Sequence, residues 1–328
     1  MCNMKIAFCV CAVIMTAGAS PASMGATTLV SSDQQEASHP VVRAVEQFGQ
    51  IVSQRTQGEL NVVVKPGGAL GSETDVLRNV RDGRQAMARV NLGLLGDLMP
   101  SAELASLPYL FRSSEHLHKI LDGDFGRRID AELAGLGLVR IMYLESSSRN
   151  FYCRRPIRTQ ADFKGLKVRV LSSKVLEDVI QNLGATPVSM PFNSVGDALK
   201  NGQIDCADGG TVNYMSSGHN KFAPYLMTDE HLLMPDVLLI SKKIWDKLPQ
   251  AQRTILLAAG KESSEYMRKL WHDQEAAALA ATKKAGVTVI GRQQMAMTAI
   301  EAQAVKSYTK YVRNTKDLEM IMKIVTTK

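Results

Sequence analysis

Several charged side chains occupy positions where the strands and helices of an α/β protein meet, and their types suit the binding of a carboxylate. Arg169 interrupts the strand-like run KVRV, where a central strand is normally apolar on both faces. The others are Arg149 in SSSRNFY, Arg89 in MARVN, Glu73 at a helix start and Asp208 after QIDCA. A guanidinium inside a sheet is costly unless an anion pairs with it, and its planar fork matches a carboxylate. The set therefore favours an anion-binding crevice.

Each of these residues also has an ordinary structural explanation, which the sequence leaves open. Arg169 could form an internal ion pair or lie on an edge strand, and Arg149 could cap a crossover between domains. Arg89 could be a solvated strand end, Glu73 suits the positive end of a helix dipole, and Asp208 is a common turn residue. Most of the set nevertheless falls at strand ends or helix starts, which form the ligand crevice of an open α/β sheet.

The segments that must position these residues alternate between strand and helix patterns in each half of the chain. In the first half we expect strands at 28–32, 60–65 and 85–90 and helices at 41–56 and 73–81. In the second half we expect strands at 165–171, 187–190 and 203–207 and helices at 174–183 and 194–201. Such alternation predicts mostly parallel sheets with right-handed crossovers, so the fold class is α/β with two similar lobes.

Three further segments connect the two halves. Residues 139–156 are strand-like and carry Glu145, and residues 236–241 form an apolar strand. Residues 251–285 follow a helical pattern that ends at Gly286. At 1.5 Å per residue this helix spans about 50 Å, longer than a small domain is wide. We therefore expect crossover strands and a long helix that braces both lobes, with a helix lying along one lobe as the alternative.

The first 26 residues have the pattern of a secretory signal peptide. Lys5 precedes an apolar run at 6–15, and small residues follow at 16–26. Export directed by this segment, followed by its removal, would place the mature protein in the periplasm. Two cysteines then remain, Cys153 and Cys206, and an oxidising compartment permits a disulfide between them. Because sequence gives no distance, the paired and unpaired states both stay open.

Composition and motifs exclude several classes of function. The 328 residues suit two domains, and the net charge of +7 is spread along the chain with only 5% aromatic residues. A nucleic-acid-binding protein would concentrate its basic residues in a stripe. The sequence has no nucleophile elbow, zinc-protease motif or phosphate loop, and two cysteines with scattered histidines predict no metal site. We therefore expect no enzyme and no cofactor.

Four long runs in collinear order resemble one family, the solute-binding subunits of tripartite ATP-independent periplasmic (TRAP) transporters. They are LASLPYLFRSSEHLHKILDG (104–123), RNFYCRRPIRTQADFKGLKVRV (149–170), LGATPVSMPFNSVGDALKNGQIDCAD (183–208) and DEHLLMPDVLLISKKIWDKL (229–248). The resemblance implies a two-lobed periplasmic binding protein that closes on an organic acid and delivers it to a membrane permease. We divide the chain into a first lobe (27–148 with 237–275) and a second lobe (149–236 with 276–328).

The resemblance also implies roles for individual residues. The arginine of the family's K-x-R-V strand, here Arg169, holds the substrate carboxylate through a bidentate salt bridge. The remaining residues of the expected site are Arg149 and Asn150 in the R-N-F-Y run, Glu73 and Arg89 as in sugar-acid binders, Glu145, and Asp208. The chain departs from the family where Gly209 replaces an asparagine, Asp208 replaces a glutamate, and residues 33–35 (DQQ) replace Asn-His-Pro.

These considerations predict a monomeric binding protein for a small organic acid of the uronate type, without affinity for nucleic acid. A C4-dicarboxylate or an aromatic acid is the alternative ligand. A ligand-sensing partner of a membrane receptor and an exported enzyme are alternative functions, although the missing nucleophile and metal set disfavour the enzyme.

Overall fold

The computed structural model of the chain describes residue 1, residues 25–145 and residues 147–328. The predicted signal peptide, residues 1–26, therefore lies almost wholly outside the described residues. The described part forms two β-sheets with helices packed on both. None of the helices within it combines the length and apolarity that crossing a membrane requires.

The described residues contain eleven strands. In chain order they are β1 (Thr27–Ser32), β2 (Leu60–Lys65), β3 (Met87–Asn91), β4 (Leu138–Leu144), β5 (Arg149–Cys153), β6 (Lys167–Val170), β7 (Thr186–Ser189), β8 (Cys206–Gly209), β9 (Tyr225–Leu232), β10 (Asp236–Ser241) and β11 (Thr288–Gly291). The first sheet has the order β2-β1-β3-β10-β4 and the second has the order β11-β9-β5-β8-β6-β7. In the first sheet, β1, β2 and β3 run parallel while β10 is antiparallel to both of its neighbours.

The same residues form thirteen α-helices. They are α1 (Pro40–Arg55), α2 (Glu73–Asp82), α3 (Pro100–Ala105), α4 (Ser114–Leu121), α5 (Asp124–Gly135), α6 (Lys174–Leu183), α7 (Val195–Lys200), α8 (Thr211–Ser216), α9 (Lys242–Trp245), α10 (Gln250–Lys284), α11 (Met297–Ala304), α12 (Tyr308–Tyr311) and α13 (Thr315–Thr326). The two-lobed α/β architecture expected from the sequence is thereby confirmed.

Helix α1 illustrates how the sequence builds a layer of the first lobe. Its N-cap is His39, whose ring accepts a hydrogen bond from a backbone N–H of the first turn, and proline occupies the first helical position. Val45, Phe48 and Val52 form one buried face. A Cβ added at Gly49 would lie 2.9 Å from the carbonyl oxygen of Val62 in β2, so glycine lets the helix rest directly on the sheet.

The long helix α10 spans both lobes, as predicted. It has 35 residues, which corresponds to about 52 Å. It packs against α1 and β4 of the first lobe and against α8 and β11 of the second. A Cβ at Gly260 would lie 2.7 Å from the carbonyl oxygen of Ile141, which shows how closely the helix approaches β4. Gly286 at φ +75° follows the helix, as its position in the sequence indicated.

The last helices divide between the lobes. Helix α11 packs against α6, beside the second sheet. Helix α13 instead contacts α4 and α5, where Arg128 pairs with Asp317 at 2.9 Å and His116 Nε2 lies 2.9 Å from the carbonyl oxygen of Ile324. The division proposed from the sequence assigned all of 276–328 to the second lobe. It stays a proposal, and the contacts of α13 favour placing this helix with the first lobe.

Cys153 and Cys206 form a disulfide, so the alternative left open by the sequence is resolved. They are register partners on the adjacent antiparallel strands β5 and β8, separated by 53 positions in sequence. Closing a loop of that length in the unfolded chain stabilises the fold by about 4 kcal/mol. We expect the double variant Cys153→Ala/Cys206→Ala to lose about that much free energy of unfolding in urea titrations. A loss below about 1 kcal/mol would contradict this account.

Candidate ligand-binding site

A cleft of about 470 Å³ lies between the sheets and collects charged residues from both. The first sheet and its helices contribute Arg89 from β3, Glu73 from the start of α2 and Asp236 from the start of β10. The second sheet contributes Arg149, Arg169 and Asp208 from β5, β6 and β8. The carboxyl ends of β3, β6 and β8 meet the cleft, as expected for parallel strands. Five of the residues that we expected at the site are therefore brought together.

Arg169 is a buried guanidinium without an acidic partner among the described residues. Arg169 is 4% exposed, and no described carboxylate lies within 4.0 Å of its guanidinium nitrogens as an ion-pair partner. Nε and Nη2 donate hydrogen bonds to the carbonyl oxygen of Met190 at 3.1 and 2.9 Å, and the Phe192 ring lies 5.9 Å away. Burial lowers the pKa of Arg169, with Asp208 opposing and Arg149 reinforcing the shift. The side chain thus presents a charge that an anion in the cleft would neutralise.

Arg149 differs from Arg169 because an internal acid already neutralises it. Its Nε donates to Asp208 Oδ2 at 2.5 Å, and its Nη2 donates to the Asp208 carbonyl oxygen at 3.1 Å. Burial alone would lower the pKa of Arg149, but Asp208 raises it. Arg149 therefore lines the cleft as half of a buried ion pair, whereas Arg169 has no acidic partner among the described residues.

A histidine behind this pair extends it into a network. His231 on β9 lies with Nε2 3.5 Å from Asp208 Oδ2 and Nδ1 2.8 Å from Asp229 Oδ2. Its ring stacks on Phe151 at a centroid distance of 4.1 Å. Asp229 in turn accepts a hydrogen bond from the Phe151 backbone N–H at 3.0 Å. These contacts hold Asp208 within a buried network.

His231 links stability to pH. Burial alone would lower its pKa, but Asp229 and Asp208 raise it from 6.5 to about 9. Because the pKa of His231 is higher in the folded state, its protonated form stabilises the fold. This stabilisation is complete below pH 6.5 and is lost as the pH rises through about 9. We expect the destabilisation caused by His231→Gln to be about 3 kcal/mol larger at about pH 6 than at about pH 9.5, measured by urea unfolding. Equal effects at the two pH values would contradict a protonated His231.

Arg89 lies at the centre of three carboxylates in the opposite wall. Its Nε donates to Asp33 Oδ2 at 3.1 Å, and Nη2 contacts the same carboxylate. Nη1 donates to Glu73 Oε1 at 2.9 Å and to Asp236 Oδ2 at 3.3 Å. Burial raises the pKa of Glu73 and of Asp236, although Arg89 opposes both shifts. All three guanidinium nitrogens are committed, so Arg89 positions acidic groups in this wall.

Glu145 and Asn150 lie outside the cleft, unlike the rest of the expected site. Glu145 Oε2 is 2.7 Å from His118 Nε2 and lines a separate cavity with Ser264 and Arg268. Asn150 donates to the carbonyl oxygen of Ser148 and accepts from the backbone N–H of Glu230, which stabilises the irregular pairing of β5 with β9. The structure therefore gives both residues contacts away from the cleft, and their expected placement beside the ligand stays a prediction.

The cleft continues on either side of Phe192, a position that our sequence reasoning missed. One extension of about 490 Å³ is bounded by Ser72, Thr74 and Ser189, and another of about 1150 Å³ by Gln35, His39 and Asn193. Phe192 lines both extensions and the central cleft. Its place three residues after the end of the strand β7 was the available signal, because residues there reach the ligand edge of a parallel sheet.

Several other lining residues were also missed. They are Asn91, Leu171, Asn213 and Asp236, together with the supporting residue His231. Asp236 opens a strand, and only the antiparallel direction of β10 brings that end to the cleft. Gly209 and Gln34, which we noted as departures from the family, do line the cleft. A Cβ at Gly209 would approach Tyr152 no closer than 3.6 Å, so glycine leaves space there.

The fold and the cleft define a two-lobed α/β binding protein whose ligand space lies between the lobes and contains an arginine without an acidic partner among the described residues. Residues 31–314 match the family model described as bacterial extracellular solute-binding protein, family 7 (DctP). The chain belongs to this family, which confirms the resemblance seen in the sequence.

Solved structures and curated relatives agree with this assignment. A TRAP periplasmic solute-binding protein from Xanthobacter autotrophicus, with bound β-D-galacturonate, shares 34% identity over 92% of this chain and 100% of that one, with a TM-score of 0.88. A homologue from Roseobacter denitrificans with bound β-D-glucuronate shares 32% identity, with the same coverage and TM-score. The 2,3-diketo-L-gulonate-binding periplasmic protein YiaO of Escherichia coli is 31% identical over 75% of this chain and 76% of its own length.

Proposed function

We propose that this protein captures a sugar acid of the uronate type in the periplasm and delivers it to the membrane permease of a TRAP transporter. The ligand carboxylate binds Arg169, and the hydroxyl groups bind polar side chains of both walls. Binding occurs without chemical conversion, so the acid released from the protein is the acid that was bound. The signal peptide at residues 1–26 directs export and is cleaved.

The observation that carries this proposal is that Arg169 is buried without an acidic partner among the described residues. A guanidinium buried to this degree requires neutralisation, and the described chain offers it one carbonyl oxygen. Nη1 forms no hydrogen bond with a described residue, so Nη1 and Nη2 provide an edge for two parallel bonds to a carboxylate. Arg89 and Arg149 are each paired with acids, so they position the walls and do not act as the primary clamp.

The remaining residues of the cleft suit a hydroxylated ligand. Glu73 and Asp208 offer carboxylate oxygens as hydrogen-bond acceptors, and Gln34, Asn91 and Asn213 add amides that both donate and accept. Bound galacturonate and glucuronate in the two related structures support the same ligand class for this chain. Closure of the lobes around the linkers and α10 would bury such a ligand between the two walls.

A thermal-shift screen followed by calorimetry tests the proposal. D-galacturonate and D-glucuronate are expected to raise the melting temperature, while D-galactose, which lacks the carboxylate, is expected to leave it unchanged. Succinate and an aromatic acid serve as competing ligand classes. Recovery of the ligand unchanged after incubation would exclude turnover. A response to succinate or the aromatic acid, without a response to either uronate, would contradict the proposal.

A further inference from the structure

The cleft contains an acceptor oxygen that the network around it does not use. Asp208 is 2% exposed and lines the cleft. Its Oδ2 contacts Arg149 at 2.5 Å and His231 at 3.5 Å. Its Oδ1 is buried and accepts no hydrogen bond from a described residue. A buried carboxylate oxygen without a donor is costly, so a donor from the ligand would satisfy it.

The side chain of Asp208 can accept hydrogen bonds at this position but cannot donate them. Burial alone would raise its pKa, but Arg149 and His231 lower it well below its ordinary value. The carboxylate therefore stays ionised, and its contacts with Arg149 and His231 prevent the side chain from turning away. An ionised carboxylate accepts a hydroxyl hydrogen bond and repels a second anion.

The pairing of charges in the cleft acts in the same direction. Three described carboxylates line the cleft, Glu73, Asp208 and Asp236, together with three guanidinium groups, Arg89, Arg149 and Arg169. Arg89 and Arg149 are paired within the protein, so Arg169 can neutralise one ligand carboxylate. A second ligand carboxylate would enter a space bounded by Asp208 on one wall and Glu73 on the other.

We propose that Asp208 is a specificity-determining residue whose Oδ1 receives a ligand hydroxyl, so that the site selects hydroxylated monocarboxylates and rejects dicarboxylates. This inference rests on the proposed function, because it assumes that Arg169 holds the first carboxylate. It narrows the ligand class to acids that carry one carboxylate and several hydroxyl groups.

Calorimetry with a matched pair of open-chain ligands tests this selectivity. D-galactonate and galactarate share their hydroxyl centres and differ in one terminal group, a hydroxymethyl in the first and a carboxylate in the second. In the wild-type protein we expect galactarate to bind about tenfold or more weakly than galactonate. Asp208→Asn keeps the size of the side chain and removes its charge. In this variant we expect the ratio of the galactarate Kd to the galactonate Kd to fall to about threefold or less.

A second variant keeps the test decisive if Asp208→Asn does not fold. Glu73→Gln removes a charge from the opposite wall, and we expect it also to narrow the ratio. Equal wild-type affinities for galactonate and galactarate would overturn the selectivity while leaving the proposed function intact. A folded variant with the same ratio of galactarate Kd to galactonate Kd as the wild type would do the same. Failure of both ligands and of D-galacturonate to bind would overturn the proposed function and this inference together.

Discussion

Replacing Arg169 with alanine is expected to weaken D-galacturonate binding by about 100-fold or more. The guanidinium is expected to form two charge-assisted hydrogen bonds with the carboxylate, each contributing about 1.5–3 kcal/mol. Losing both removes about 3 kcal/mol or more, which corresponds to that change in Kd. Isothermal titration calorimetry measures it directly, with folding verified by circular dichroism.

Two further variants separate the clamp from general effects of charge. Arg169→Lys keeps the positive charge but loses the planar fork, so we expect an intermediate loss of about tenfold. Arg140→Ala is the matched control, since Arg140 lies on β4 and pairs with Asp130, away from the cleft. We expect that variant to bind normally. Wild-type affinity in Arg169→Ala would remove Arg169 from the ligand site.

Replacing Asp208 with alanine is expected to lower the free energy of unfolding by about 3–5 kcal/mol. The change leaves Arg149 and protonated His231 buried without their shared acid, and uncompensated buried charges are strongly destabilising. Urea unfolding near neutral pH measures the effect.

The matched comparison is Asp130→Ala, which breaks the half-exposed pair with Arg140. We expect it to cost about 1 kcal/mol or less because solvent screens such pairs. If the two variants were equally destabilised, the buried network around Asp208 would not have the stabilising role that we assign to it.

The elements with strong local signals could be predicted from the sequence. Helix α6 (Lys174–Leu183) and the strands β2 (Leu60–Lys65) and β10 (Asp236–Ser241) were placed at their observed bounds. In the sequence a glycine stop marks the end of α6, alternating apolar residues mark β2, and a continuous apolar run marks β10. The helices α3, α4 and α5 (100–135) were not anticipated as separate elements.

The candidate site was predictable only in part, because its contacts join distant segments. Arg169, Arg149, Arg89, Glu73 and Asp208 do meet at the cleft. The partners of Arg89, however, lie 56 and 147 positions away in sequence, at Asp33 and Asp236. Nothing local in the sequence shows that an arginine is already paired, so the difference between Arg169 and its two neighbours emerged only from the fold.

A crystal structure of the protein with bound D-galacturonate tests the central claim most directly. We expect the carboxylate oxygens to lie about 2.7–2.9 Å from Nη1 and Nη2 of Arg169, between the two lobes. A sugar acid whose carboxylate is bound elsewhere, with Arg169 contacting only Met190 or water, would contradict the account.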